Sequence, residues 1–338
     1  TATQLGSPAV SELGPFTGTG GEGGLVWLKG RDTTYDHWLF DTARGVEKNI
    51  NSNDASAEGT GSGSLQQFNS NGFQLGYQGG TYNEINQSGK DYVCWTFRKA
   101  PKFFDCIKYT GTSADKTINH NLGTTVGAIF IKSLDTARSW WCTHRGLNGG
   151  TNWWQYHIYL NANLGEATET YYAYMSEPSS TSFTLRGGKS EVNANGENYV
   201  AYLFAHNNND GGFGPTGSDD IIKCGNYTGT GSSSENVINL GFEPQWVMVK
   251  YTSGNGEEWA IFDVMRGMPT DGLTKYLTAS SSGEENWGGN VNDFMEVTST
   301  GFRLRSSEDG WTNRSGGNYI YMAIRRGPLA APTDATKV

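Results

Sequence analysis

An all-β chain of three tandem antiparallel β-sandwiches, jelly-roll in topology and concanavalin-like, is the fold class this sequence predicts. Three observations predict it. The 338 residues hold 47 glycines and are 13% aromatic but only 17% charged, the balance of many short strands joined by tight turns. No long window carries an apolar stripe at helical spacing. Five short apolar landmarks also recur in one order three times, at spacings of 101 to 121 residues, which composition alone does not produce.

The first landmark is Y-T-G-T at Tyr109 and again at Tyr227, each with a cysteine three residues earlier, Cys106 and Cys224; a degenerate F-T-G-T starts at Phe16. The second is an apolar strand ending in lysine, GLVWLK, LGTTVGAIFIK and LGFEPQWVMVK, closing at Lys29, Lys132 and Lys250. A Trp-led segment ending in Arg-Gly follows, at Arg44, Arg145 and Arg266. The fourth is a short strand, GFQL, SFTL or GFRL, and the last a Tyr-led strand, DYVCWTF, NYVAYLF or NYIYMAI. Each is a run rich in Val, Ile and aromatics bounded by Gly, Asn, Ser or Asp, which is the signature of a strand. The closing strand is apolar at nearly every position, so both of its faces should be covered. The boundaries predicted are 1–103 (divergent and shortened at its N-terminal side), 104–218 with a linker and 219–328. A Pro/Ala/Thr tail fills 329–338. A start without Met and such a tail are what a piece of a longer chain would show.

A formal net charge of −9 with no Lys/Arg run longer than two argues against nucleic acid as a partner. No stretch is long and apolar enough for a membrane-spanning helix, so membrane insertion is not expected. Cys94, Cys106, Cys142 and Cys224 form no CxxC pair and no zinc spacing with the five histidines; no metal or other cofactor is expected, and the thiols should be reduced and packed as small hydrophobes.

The segments LFDTARG and IFDVMRG share F-D-x-x-R-G, whereas the middle unit reads WWCTHRG without the aspartate. A catalytic Asp would be needed in every working unit. The pattern therefore reads as a structural turn motif of Asp41, Arg44, Arg145, Asp263 and Arg266, the carboxylate accepting from backbone N–H groups or a guanidinium and Gly supplying a positive φ. No catalytic residue is assigned. The carboxylates Glu257, Glu258, Glu284, Glu285, Asp293 and Glu296 lack the alternation of a glycosidase strand, and no G-x-S-x-G, P-loop or H-E-x-x-H occurs. NNNDGG at 207–212 lacks the alternating carboxylates of a calcium loop. Trp153, Trp154 and Tyr156, just after a Gly turn, are the candidate glycan-stacking residues.

The order Y-T-G-T, L-G-F-E-P, apolar strand ending in Lys, F-D-x-x-R-G, G-F-x-L, N-Y-I-Y-M-A-I-R-R-G-P resembles the tandem repeats of large virion proteins of tailed bacteriophages, notably those of marine bacteria and cyanobacteria. Residues 221–328 carry it best; the first unit lacks L-G-F-E-P and the second the aspartate. The resemblance implies a tail fibre, appendage or other virion surface component, located on the virion or outside the cell. Such a protein should be structural and adhesive, not an enzyme. Its partners should be copies of itself, as a trimer or filament, other virion proteins and a host surface glycan. The other readings are a polysaccharide depolymerase or lyase, for which a two-carboxylate groove in one unit would speak, and a carbohydrate-binding protein.

Overall fold

The computed structural model describes residues 23–69, 72–76, 83–168, 174–213, 217–232, 236–268, 274–287, 294–305 and 310–327. Phe16, Asp293 and the tail 329–338 lie outside the described residues. The protein is all-β. Its strands are β1 (Gly24–Gly30), β2 (Trp38–Asp41), β3 (Lys48–Asn51), β4 (Gly59–Thr60), β5 (Leu65–Asn69), β6 (Gly72–Leu75) and β7 (Tyr92–Arg98). Next come β8 (Phe104–Thr110), β9 (Lys116–Asn119), β10 (Val126–Ser133), β11 (Trp141–His144), β12 (Tyr156–Tyr159), β13 (Ala167–Thr168), β14 (Ser182–Leu185) and β15 (Asn198–Ala205). The last group is β16 (Ile222–Thr228), β17 (Asn236–Asn239), β18 (Pro244–Tyr251), β19 (Ala260–Asp263), β20 (Lys275–Thr278), β21 (Asn286–Trp287), β22 (Met295–Thr298), β23 (Gly301–Leu304) and β24 (Asn318–Arg325).

Each group builds its own large antiparallel sheet, in the orders β4-β3-β2-β1-β7, β13-β12-β11-β10-β15-β8 and β21-β20-β19-β18-β24-β16. Aligned by position these are one order, except that nothing described pairs with the outer edge of β7. Smaller sheets β5-β6, β14-β9 and β17-β23-β22 lie alongside. The closing strands β15 and β24 share even a register shift, between Val126 and Ala128 in one ladder and between Pro244 and Trp246 in the other.

Local contacts repeat too. Tyr109 stacks on Tyr199 and Tyr227 on Tyr319, with ring centroids 5.2 and 5.0 Å apart. Asn193 and Asn313 hold the Y-T-G-T loops, accepting from the N–H groups of Thr112 and Thr230, both at 2.9 Å. Asn86, their counterpart in the first unit, donates to the Gly76 carbonyl.

Strand alternation sorts the side chains into two kinds of core. One face of the first large sheet, with Val26, Leu28, Trp38 and Phe40, packs over Leu65 and Phe68 of its own small sheet. In the third unit Val247, Val249 and Phe262 likewise face Phe302 and Leu304. The opposite faces all meet in one shared cluster. Leu25, Trp27 and Trp95 from the first unit, Phe130, Tyr202 and Phe204 from the second, and Trp246, Met248, Trp259 and Met322 from the third belong to it. This is why β15 and β24 carry buried apolar residues at nearly every position, a second layer covering one face and neighbouring units the other; β7 departs from the expectation, with Cys94 exposed and Tyr92, Val93 and Thr96 half-buried. Equivalent positions complement one another in size. The ladder partners of Phe97, Phe204 and Ile324 on the preceding strands are Leu25, Ala128 and Trp246, and the Trp246 ring lies 5.7 Å from Phe97. Among the described residues the aromatic side chains are buried or half-buried, and only Leu164, Val237 and Met265 are exposed large hydrophobics.

Candidate functional site: clasps between the units

Three equivalent backbone hydrogen bonds join the units head to tail. The N–H groups of Glu58, Glu166 and Glu285 donate to the carbonyls of Leu134, Thr252 and Arg31, at 2.9, 3.0 and 2.8 Å. Unit one therefore binds two, two binds three and three binds one. The chain closes on itself as a ring of approximate threefold symmetry. A second set crosses the same joints with donor and acceptor sides exchanged: Trp140 Nε1 donates to the Asn51 carbonyl at 2.7 Å, Trp259 Nε1 to that of Tyr159 at 2.9 Å, and His37, at the matching place, stands against the Thr278 backbone.

F-D-x-x-R-G sits at these joints. Asp41 Oδ1 accepts from the N–H groups of Ala43 and Arg44 at 2.9 and 3.0 Å, and Oδ2 from Arg44 Nε. Arg44 Nη2 reaches back to the Leu39 carbonyl at 2.8 Å. Asp263 and Arg266 repeat this, with Arg266 Nη2 on the Ile261 carbonyl at 2.8 Å. Gly45 and Gly267 complete each turn at φ 94° and 123°, a conformation that side chains resist. Beyond the turn, Tyr202 of the second unit donates to Asp41 Oδ2 at 2.7 Å, and Trp95 of the first unit donates to Asp263 Oδ2 at 3.0 Å. The Arg266 guanidinium also lies 5.3 Å from the Trp95 ring centre. All four Asp and Arg residues are buried. Burial works against the Arg44 charge, yet Asp41, Tyr202 and Glu58 hold its pKa above the ordinary value.

Arg145 is not the counterpart of Arg44 and Arg266. Strand register aligns His144, opposite Ala128, with Asp41 and Asp263, opposite Leu25 and Trp246. Leu147 then takes the arginine's place, and Asn148, at φ 51°, the glycine's, since Asn tolerates the left-handed region. His144 Nδ1 accepts from the Gly146 N–H at 3.0 Å, so Nε2 carries the proton and donates to the Tyr321 carbonyl of the third unit at 3.0 Å. Gly146 is required for a different reason from Gly45: a Cβ there would meet the Gly225 carbonyl at 2.7 Å. Glu166, left without an arginine, accepts from the Asn148 N–H at 2.8 Å, and burial raises its pKa.

Burial lowers the pKa of His144 to about 3, against about 6.5 in an unfolded chain. The folded state thus binds this proton more weakly, so stability falls as pH drops from 6.5 towards 3 and is complete above 6.5. Denaturant midpoints measured across this window should fall less steeply for His144→Asn than for the wild type; parallel curves would remove His144 from the acid response.

The strand-ending lysines are equally internal. Lys29 donates to the carbonyls of Gly30 and Thr33, Lys132 to those of Ala55 and Arg138, and Lys250 to that of Glu257. Burial pushes each pKa down to about 8. Lys132 reaches from the second unit into the first. The sequence marked these lysines as landmarks but gave them no role; a lysine recurring at the end of an apolar strand was the available signal. Tyr202, Trp95, Glu58 and Glu166 were missed, and Glu285 was named only as a carboxylate without the glycosidase pattern, because each acts across a joint.

The glycan candidates do not form a platform. Trp153 is buried in the shared core and its carbonyl accepts from Thr143 Oγ1. Trp154 meets it edge-on, with planes 80° apart, and packs with half-buried Tyr156 against the same core. Stacking on a sugar ring needs an open face. The described carboxylates of the third unit are largely paired: Glu285 with Arg31 and Arg266, Glu257 with Arg314, Glu296 with Arg303 and Arg305. Asn207 of the NNNDGG linker is buried, its Oδ1 accepting from the N–H groups of Ile221 and Ile222. Among the described residues no group of three His, Cys, Asp or Glu side chains is placed to hold a metal ion. All four cysteines are free, but Cys94, expected to be packed, is exposed.

Among the described residues, the joints of this all-β ring are held by buried polar groups that bond across from one unit to the next. The chain belongs to the family described as Domain of unknown function (DUF7483), whose model matches residues 3–328 and so spans all three units. No curated protein matches it. Among solved structures, the crystal structure of the STIV MCP is 10% identical, with 66% of this chain and 95% of that chain covered at a TM-score of 0.19; so slight a likeness carries no argument.

Proposed function

We propose that this protein is a structural and adhesive component of a phage virion, a tail fibre, appendage or surface component, acting through protein–protein contacts outside the cell and without catalysis of its own. The closed ring of equivalent hydrogen bonds carries this reading. It gives one chain three similar faces around an axis, a form suited to bearing load and to joining other symmetric parts. The repeat resemblance to phage virion proteins supports it, and so does the use of the described buried polar groups as joints. Because threefold multiplicity is already present within the chain, docking on other virion proteins or stacking into a filament is favoured over a homotrimer. Any host-glycan contact would lie elsewhere than at Trp153, Trp154 and Tyr156.

Imaging of native particles with an antibody to this chain tests the reading directly: labelling of a tail or surface appendage is expected. Absence from particles, together with shortening of a purified capsular polysaccharide by the isolated protein, would replace it with the depolymerase reading.

A further inference from the structure

Two joints of the ring are bridged by the chain and one is not. Units one and two are consecutive, as are two and three, whereas the third meets the first only through space. The two bridges also differ. Residues 99–103 make a tight turn, the Ala100 N–H donating to the Phe104 carbonyl at 2.9 Å. Residues 206–221 carry slack, because the two ends of this bridge already lie side by side. The Asn207 N–H donates to the Ile222 carbonyl at 3.0 Å, and Asn207 Oδ1 accepts from the N–H groups of Ile221 and Ile222. The chain between them therefore spans no distance in the closed ring. Drawn out, it would reach roughly 45 Å, farther than the roughly 35 Å across a compact unit of this size.

The unbridged joint carries its own fastening. In the two bridged joints the carbonyls that accept from Glu58 and Glu166 belong to Leu134 and Thr252, which are uncharged; in the third the acceptor is Arg31. Its side chain returns the contact, Nε and Nη2 donating to Glu285 Oε1 and Oε2 at 3.1 and 2.7 Å. The same carboxylate, 5% exposed, lies 3.3 Å from Arg266 and 3.6 Å from Lys275 of its own unit. A forked pair of this kind is exacting in geometry and so selects one partner. Across the same joint Ser52 Oγ donates to the Ala279 carbonyl at 2.7 Å.

We propose that the third unit exchanges between two copies of this chain, each copy's third unit completing the other's ring, so that Arg31 of one chain latches Glu285 of the other. The joint is the same whether it closes within one chain or between two, which makes exchange a low-cost route to a dimer. The slack in residues 206–221 supplies the reach. The chemistry of the exposed face fixes the occupant: Trp246, Met248, Trp259 and Met322 of the third unit lie in the shared core, and a released unit must cover them again. The complementary surface is that of a first and second unit, where Ala128 and Leu25 leave room for Trp246. Concentration decides between the two closures, since a tethered unit competes at a high effective concentration. Exchange should therefore arise while chains fold at high concentration. Afterwards it should reverse slowly, because reopening returns the core face to water.

The test refolds the full-length chain. Unlabelled and nitrogen-15-labelled chains, both carrying Arg31→Lys, are unfolded, mixed and refolded together over a series of concentrations; a carbodiimide then joins the introduced amine to the Glu285 carboxylate. Light scattering should show a dimer whose share rises with concentration. Its cross-links should join labelled to unlabelled peptides, and those of the monomer should not. Dimers cross-linked only within one label would mean association of closed rings and would refute the exchange, as would a chain that stays monomeric at every concentration. A second variant tests the latch. Arg31→Leu, which copies the residue at the first joint, should let isolated dimers revert to monomers on dilution on the order of tenfold faster, because reversion must open the joint and its charge-assisted bonds are gone. An unchanged rate would refute the latch.

Discussion

Residues 219–328 expressed alone are expected to aggregate or self-associate, in contrast to the whole chain. Trp246, Met248, Trp259, Ile261, Leu277, Ile320, Met322 and Ile324 are buried in the shared core and not in the unit's own sandwich. Excision would return them to water. Each large apolar side chain left exposed forgoes about 1.5–3 kcal/mol, so eight forgo roughly 12–24 kcal/mol. That matches or exceeds the whole stability of a typical domain, about 5–15 kcal/mol. The unit's private core, built on Val247, Val249, Phe262 and Phe302, can preserve the strand pairing but not a soluble surface. Light scattering with a hydrophobic dye will show this, and adding residues 23–218 in trans should suppress both signals. A monodisperse, dye-silent monomer of 219–328 that unfolds cooperatively would mean that the units are independent after all.

Asp41→Ala should cost about 3–5 kcal/mol, because it strands the buried Arg44 guanidinium. The expectation from a turn brace alone would be nearer 1–2 kcal/mol, the worth of one charge-assisted hydrogen bond. The difference is decided by burial and by the joint. Asp41 and Arg44 side chains are each fully inaccessible, and Tyr202 of the next unit loses its acceptor in the same step. The second unit supplies the control, since it replaces the arginine with Leu147. Asp41→Ala combined with Arg44→Leu should therefore recover a large part of the loss, as removal of both members of a buried pair does. Denaturant unfolding of the three proteins is the measurement. A single variant that loses as little as the double variant would show that the pair contributes no more than an exposed brace.

The strands of this protein were legible because short apolar runs bounded by turn residues need only local reading. The double-faced burial of NYVAYLF was legible too, from its lack of alternation. What covers the second face was not. Alternation reports that a surface is covered but not whether the cover is another unit or another molecule. Arg145 failed for a related reason. The letters R-G repeat, but equivalence is set by register counted from the strand, where a histidine replaces the aspartate two residues from where the string suggested. Trp153 and Trp154 looked like a sugar platform because sequence shows that rings are adjacent but not the angle between them.

The layer that sets Leu25, Ala128 and Trp246 at equivalent positions has a consequence for how such a molecule can change. In a trimer of identical chains every mutation near the axis is made three times over, so a tryptophan there would have to fit beside two more. Within a single polypeptide one copy can grow while another shrinks. The ring keeps the outline of a symmetric object with the mutational freedom of an asymmetric one, and for the same reason its units cannot be exchanged: a second copy of 219–328 in the place of 104–218 would bring Trp246 where only Ala128 fits.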